Sequence, residues 1–219
     1  MNLTVLVVGG TGTIGSAVAE RLREDHTVIV AARRNADIVV NVTSPHSIRE
    51  MYAQVGSVDA VVSTVGSAVV GGTGELTEDD YLQSFSKKVL GQISLVRLGL
   101  GVIAPGGSVT LTGGVLGTEP HPGYAAISMV NAALDGFCRA AAVDLRSRIR
   151  VNIVSPVFVA ESFPGFDPGG FPVQSAADTA RAYASAVTGR FTGRVVDPRN
   201  VGAQGPDTDI AGDNARSKR

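Results

Sequence analysis

The run Val7-Val8-Gly9-Gly10-Thr11-Gly12-Thr13-Ile14-Gly15 places Gly9, Gly12 and Gly15 at three-residue intervals. It follows an apolar, β-branched run and opens a helical pattern. Glycines in that setting serve a tight turn, a close approach of backbone to phosphate, and close packing of helix on strand. A helix beginning there offers free N–H groups and partial positive charge to an anion. The chemistry this suits is holding the pyrophosphate of a dinucleotide, with Gly9, Thr11, Gly12, Thr13, Ile14 and Gly15 as the expected contacts. A Gly-rich turn with no ligand is the plain alternative, and placement at residue 9 inside a strand–helix–strand unit weighs against it. The next apolar run ends in Ala31-Ala32-Arg33-Arg34. An acidic residue there would hold the ribose 2′-hydroxyl of NAD, whereas Arg33 and Arg34 suit a 2′-phosphate, which a guanidinium pairs bidentately. NADP(H) is therefore favoured over NAD(H); otherwise both arginines merely solvate a strand end.

Other chemistry is thinly represented. Cys138 is the lone cysteine, lies in an apolar helical stretch and reads as a buried structural thiol. It has no partner for an intramolecular disulfide, which suits a reducing cytoplasm. His26, His46 and His121 show no metal-ligand spacing, so no metal is expected. With 219 residues, 44% apolar and 18% charged, the chain reads as one soluble globular domain. A net charge of −1 argues against nucleic-acid or membrane-surface partners. No secretory leader is recognisable, and no stretch is expected to approach the ~20 apolar residues of a membrane span.

The elements that must position these residues alternate between β-branched runs and helical patterns. Strands are expected at Leu3–Val8, Thr27–Ala32, Ile38–Val42, Ala60–Ser63, Ser108–Leu111, Arg150–Val154 and Arg194–Val196. Helices are expected at Ile14–Arg23, after Pro45 to about Val55, over Glu78–Ile103 (ended by Pro105-Gly106-Gly107), Tyr124–Arg146 and Ala176–Thr188. Strands apolar on both faces imply a single-domain α/β Rossmann fold: a doubly wound, mostly parallel sheet of about seven strands with helices on both faces. The domain should run over residues 1–199, with 200–219 a polar, flexible tail. Phe163–Pro172, rich in Gly, Pro and Phe, reads as a long loop with apolar lining.

On these residues the chain resembles the short-chain dehydrogenase/reductase family. Asp59-Ala60-Val61-Val62-Ser63-Thr64-Val65-Gly66 looks like the family's fourth strand and its Asn-Asn-Ala-Gly motif, with the asparagines replaced. Asn131-Ala132-Ala133-Leu134, Ile149-Arg150-Val151-Asn152 and Ser155-Pro156 resemble the active-site helix and sixth strand, and Thr192-Gly193-Arg194-Val195-Val196 the last strand. The resemblance adds Asn41, Ser63, Thr64, Val65, Gly66 and Asn131 to the expected cofactor contacts. It implies a small-molecule substrate and a homodimer or homotetramer through the Ala-rich helix Tyr124–Arg146.

The family works with a Ser–Tyr–Lys set plus an Asn on the preceding long helix. The Tyr phenol exchanges a proton with the substrate oxygen, the Lys lowers the Tyr pKa and holds the nicotinamide ribose, and the Ser polarises the carbonyl. Aligned through Gly107-Ser108 and Gly113-Gly114-Val115, the Ser position is Gly114, the Tyr position Ile127 and the Lys position Asn131. The helix Asn falls at Lys88. All four have changed, as in a divergent bacterial subgroup that keeps the cofactor loop without the usual active-site residues. Gly and Ile transfer no protons, and Asn supplies no charge.

Lys88 is then the first candidate for a proton donor or electrostatic clamp, unless it is a solvated helix lysine beside Lys87. Tyr124, one helical turn before Ile127, is the second, against a packing or interface role. His121 lies on the preceding loop, and Ser63, Thr64 and Thr112 offer hydroxyls near the strand ends. Glu161 and Ser162 fall where the family's loop meets the nicotinamide amide. The expectation is an NADP(H)-dependent oxidoreductase acting on a small carbonyl or alcohol with a non-standard proton donor. The rivals are a cofactor-binding sensor or scaffold without turnover, and a non-redox lyase or isomerase in the same cleft.

Overall fold

The computed structural model describes residues 2–162, 165 and 169–201. Part of the Phe163–Pro172 loop, and the tail from residue 202, lie outside the described residues. Nine strands are described: β1 (Thr4–Val8), β2 (Thr27–Ala32), β3 (Ile38–Val39), β4 (Val58–Ser63), β5 (Ile103–Thr112), β6 (Arg150–Val154), β7 (Phe158–Val159), β8 (Val173–Gln174) and β9 (Val195–Val196). The helices are α1 (Thr13–Arg23), α2 (Pro45–Val55), α3 (Glu78–Ser84), α4 (Gly91–Gly99), α5 (Ala125–Leu145) and α6 (Ala176–Thr188). Seven strands pair in parallel in the order β3-β2-β1-β4-β5-β6-β9, which is the doubly wound Rossmann sheet expected.

Alternation along the central strands decides the two layers. Val5 and Val7 of β1 face one cluster that includes Val18 and Leu22 of α1 and Tyr183 of α6. Leu6 and Val8 face the other, with Ile48 and Met51 of α2, Leu95 of α4 and Val130 and Leu134 of α5. Because both faces are covered, β1 can be apolar at every position. Local signals agree with the tertiary frame. Ser44 caps α2 ahead of Pro45, Thr77 and Asp80 form a reciprocal capping box on α3, and Ser175 caps α6.

Three expectations need correction. The single helix expected over Glu78–Ile103 is broken: a π-helical turn, Phe85–Leu90, separates α3 from α4, and Ile103 already belongs to β5. Helix α4 stops at Gly99, where the chain passes so close to Tyr52 that a Cβ would sit 2.7 Å from its hydroxyl oxygen. Pro105-Gly106-Gly107 does not end a helix; it forms an irregularity within β5, where the pairing with β4 jumps register and Gly106 adopts φ of +80°. Lastly, α5 is long and apolar enough to cross a membrane, contrary to expectation. Its Ala126, Val130, Leu134 and Cys138 are nonetheless buried in the core, so its apolarity serves the sheet. The two-stranded β7–β8 ribbon was not expected at all.

Candidate functional site

At the carboxyl ends of β1, β2 and β4 lies a cavity of about 800 Å³ lined by Gly9, Thr11, Gly12, Arg33, Arg34, Asn41, Thr64, Val65 and Gly66, all of them expected contacts. Val39, Val40, Val42, Thr43, Ser47, Ser67 and Lys87 line it too, and sequence reasoning missed them because only the fold brings β3, the loop after it, α2 and the π-helical turn to one place. Gly15 lies behind the wall. Its Cβ would collide with the Gly9 carbonyl oxygen and stand 2.6 Å from Thr64 Oγ1. Gly9 has φ of +88°, and its carbonyl accepts from the Gly12 amide at 3.0 Å. No side chain caps α1, whose first turn (Thr13 and Ile14 included) holds no acidic residue. Its amides and positive end are therefore available to an anion. The acidic residue nearest along the chain to Ala32, Asp37, is engaged with the Val30 amide at 2.8 Å.

The fit to a dinucleotide phosphate rests on this cradle: a loop closed too tightly for side chains, an uncapped helix end, and two arginines across the cavity. A larger groove of about 1010 Å³ opens between α1 and α6, at the amino ends of the strands. Its cations are already engaged, Arg21 by Glu24 and Asp25, Arg181 by Asp178, and Arg150 by the Ala186 and Val187 carbonyls.

Beyond Gly66 the cavity wall meets the π-helical turn. A Cβ on Gly66 would lie 2.8 Å from Lys88 Cγ, so the stem of Lys88 passes directly over this glycine. Lys88 Nζ donates to the Gly113 carbonyl at 2.9 Å, at the end of β5. Withdrawal from water pulls its pKa down to about 8, with the Asp135 charge opposing the shift. One turn along, Gln92 grips the same strand end: its amide nitrogen donates to the Thr112 carbonyl and its oxygen accepts from the Thr112 amide, each at 2.9 Å. Tyr183, whose pKa burial raises, donates to Thr112 Oγ1, which donates onward to the Ser63 carbonyl, both at 2.6 Å. These bonds make the end of β5 a fixed platform, while Ser63 Oγ stays buried and unpartnered.

Asn131 occupies the space above Gly114. A Cβ on Gly114 would stand 2.7 Å from Asn131 Nδ2. Gly114→Ser alone should therefore cost about 1–3 kcal/mol through overpacking. Adding Asn131→Ala should recover most of that loss in a thermal double-mutant cycle. An unchanged melting temperature for Gly114→Ser would show that Asn131 yields freely.

Tyr124 and Ile127, half-buried at the start of α5, lie at the same end of the sheet, yet Tyr124 engages through its ring. It meets His121 edge-on at 5.7 Å and Phe158 at 5.8 Å, and Phe171 closes the group against His121 and Phe158. The contacts of Tyr124 and those of Lys88 thus form two separate groups. Thr64 Oγ1 donates to the Val8 carbonyl at 3.1 Å. Glu161 accepts from the Ala176 amide at 2.9 Å, at the start of α6, and Ser162 ends the same short turn. Cys138 is buried, with its thiol pushed up to about 12 mainly by desolvation, which makes it a poor nucleophile. Among the described residues no group of His, Cys, Asp or Glu could hold a metal ion.

Comparison with known proteins adds an independent line. A family model described as Enoyl-(Acyl carrier protein) reductase matches residues 10–203. The rat 3-oxoacyl-[acyl-carrier-protein] reductase is 27% identical over 180 residues, covering 73% of this chain and 76% of its own. The crystal structure of the protein lin1944 from Listeria innocua is similar at 40% identity and a TM-score of 0.85, over 89% of this chain and 98% of that one. A small-chain dehydrogenase solved in complex with NADPH is 26% identical, with a TM-score of 0.81, over 90% of this chain and 96% of its own.

Proposed function

Because the chain belongs to the short-chain dehydrogenase/reductase family of oxidoreductases, we propose that it is an NADP(H)-dependent enzyme that reduces a small carbonyl, or oxidises the alcohol, with Lys88 as proton donor. The observation that carries this reading is the cavity uniting the Gly9–Gly12 turn with Arg33 and Arg34 and reaching Gly66, over which the Lys88 stem lies. A nicotinamide dinucleotide held there would provide hydride chemistry, which belongs to the cofactor. The protein's own residues do the rest. Gly9, Thr11, Gly12 and the α1 terminus with Thr13 and Ile14 bind pyrophosphate. Arg33 and Arg34 pair with the 2′-phosphate, Asn41 and Thr64–Gly66 line the nucleoside pockets, and Asn131 offers an amide at the far end. Lys88 holds or gives up a proton at Nζ, and the Tyr124 ring packs against His121 and Phe158.

Calorimetric titration of NADPH and NADH tests the first half of this. NADPH should bind more tightly, and the Arg33→Ala/Arg34→Ala double variant should lose roughly 10- to 100-fold in NADPH affinity with NADH unchanged, the value of one or two charge-assisted hydrogen bonds. Binding of neither nucleotide would make the glycine turn a structural relic.

A second reading, a cofactor-binding sensor or scaffold without turnover, is favoured by Gly114, Ile127 and Asn131 at the positions where the family keeps its acid set. Oxidation of NADPH by any member of a carbonyl panel separates the two. A homodimer or homotetramer would use α5, where Met129 and Val143 are exposed.

A further inference from the structure

Asp135 lies one turn beyond Asn131 on the buried face of α5 and is only 4% exposed. Its Oδ1 has no hydrogen-bond partner. A Cβ built on Gly113 would stand 3.4 Å from that oxygen and 3.0 Å from Ser155 Oγ, which is also buried and unpartnered. The carbonyl of the same Gly113 takes the Lys88 ammonium. A carboxylate from α5 and an ammonium from the π-helical turn thus converge on one glycine that has no side chain to separate them. Burying a carboxylate without compensation is costly, so an acidic residue here calls for a charge partner.

We propose that Asp135 is a positioning residue of this site, whose carboxylate, across Gly113, keeps the Lys88 ammonium protonated and directed at the end of β5. This rests on the reading of Lys88 as the proton donor. The surrounding charges leave the pairing in place. Burial raises the Asp135 pKa, and two cations oppose it, Arg139 on the next turn of α5 more strongly and Lys88 after it. The neighbouring Cys138 thiol is neutral up to about 12. Lys87 from the same π-helical turn is exposed and bonded to Gln83. From β5, β6 and α6 the nearby groups are Gly113, Ser155 and the Thr112-bonded Tyr183, all uncharged at neutral pH.

The test exploits a sequence with only three lysines, Lys87, Lys88 and Lys218. With lysine labelled at Cε by ¹³C in the full chain, three resonances can be titrated between about pH 6 and 11. Lys88, assigned through its loss in Lys88→Arg, should titrate near 8. Asp135→Asn should lower its midpoint by about one unit, a tenfold loss of proton affinity, and Asp135→Glu should restore part of it. The coupling is reciprocal, so Lys88→Met should raise the Asp135 carboxyl midpoint, read from its own ¹³Cγ resonance in aspartate-labelled protein, by the same amount. That arm decides the matter even if Asp135→Asn does not fold. Midpoints that stay put in both arms, with only the melting temperature lowered, would make Asp135 purely structural and overturn the proposal. Neither substrate nor NADPH is needed, so absence of turnover would count against Lys88 as donor without touching this result.

Discussion

Alanine at Gly15 should abolish measurable NADPH binding and lower the melting temperature. Its methyl group would collide with the Gly9 carbonyl oxygen and press on Gly9 C at 2.7 Å and Thr64 Oγ1 at 2.6 Å. None of these atoms is free to retreat. The Gly9 amide is bonded to the Ala31 carbonyl at 2.7 Å, its carbonyl to the Gly12 amide, and Thr64 to the Val8 carbonyl. The strain must push α1 away from the turn, at a cost of about 1–3 kcal/mol or more. For a chain of this size that is roughly 3–10 °C in melting temperature. Displacing the helix end by an ångström would misalign the amides offered to pyrophosphate. Two charge-assisted bonds lost amount to about a hundredfold or more in affinity. Gly12→Ala is the control, because its Cβ would stand an ordinary 3.4 Å from the Gly9 oxygen. Its stability should hold while close approach of a phosphate suffers. If Gly15→Ala bound NADPH as the parent does, the turn would not be the phosphate cradle.

The parts of the molecule that were legible in sequence are those where local chemistry and tertiary environment ask for the same residues. Thr27–Ala32, Arg150–Val154 and Ala176–Thr188 have the bounds expected, and the helix expected after Pro45 starts on Pro45 itself, since each is flanked by a cap, a turn or a glycine. The run Leu98–Ile103 shows the opposite case. It is apolar at most positions and has no period, and its two glycines, Gly99 and Gly101, give the only local sign that α4 ends there. The π-helical turn carries no local signal: the Lys88 stem it presents lies over Gly66, a contact between residues far apart in sequence. Two-residue strands such as β7 and β8 carry no periodicity to read. Asp135 was missed although a signal existed. Asn131 and Asp135 are four residues apart and flank the apolar stripe Ala126-Val130-Leu134-Cys138, which places two polar side chains on a buried helix face. Polar residues in that position are the ones that need an account.

Lys88→Met should remove turnover while leaving NADPH affinity within about twofold. Methionine keeps an unbranched apolar stem to lie over Gly66 and loses only the charge and its donors. The bond lost is to the Gly113 carbonyl, outside the phosphate cradle, so the cofactor's main anchors persist. Proton transfer from a positioned acid contributes about 10²–10⁴-fold, and the family's own donor position is Ile127, which cannot substitute. The loss should therefore fall on kcat. The parent's pH profile gives the sign. With a pKa near 8, the ammonium is present below that value and disappears as pH rises through it. Carbonyl reduction, which consumes the proton, should fall above about pH 8, and alcohol oxidation, which needs the free amine as base, should rise over the same interval. Arginine in place of Lys88 separates charge from proton donation: it keeps a cation but cannot deprotonate, so an enzyme that needs only an electrostatic clamp would retain activity and lose the inflection. Turnover unchanged in Lys88→Met would remove this residue from the mechanism. The next candidates for the proton would be Tyr124 and His121, whose rings meet in a T-shaped contact at 5.7 Å.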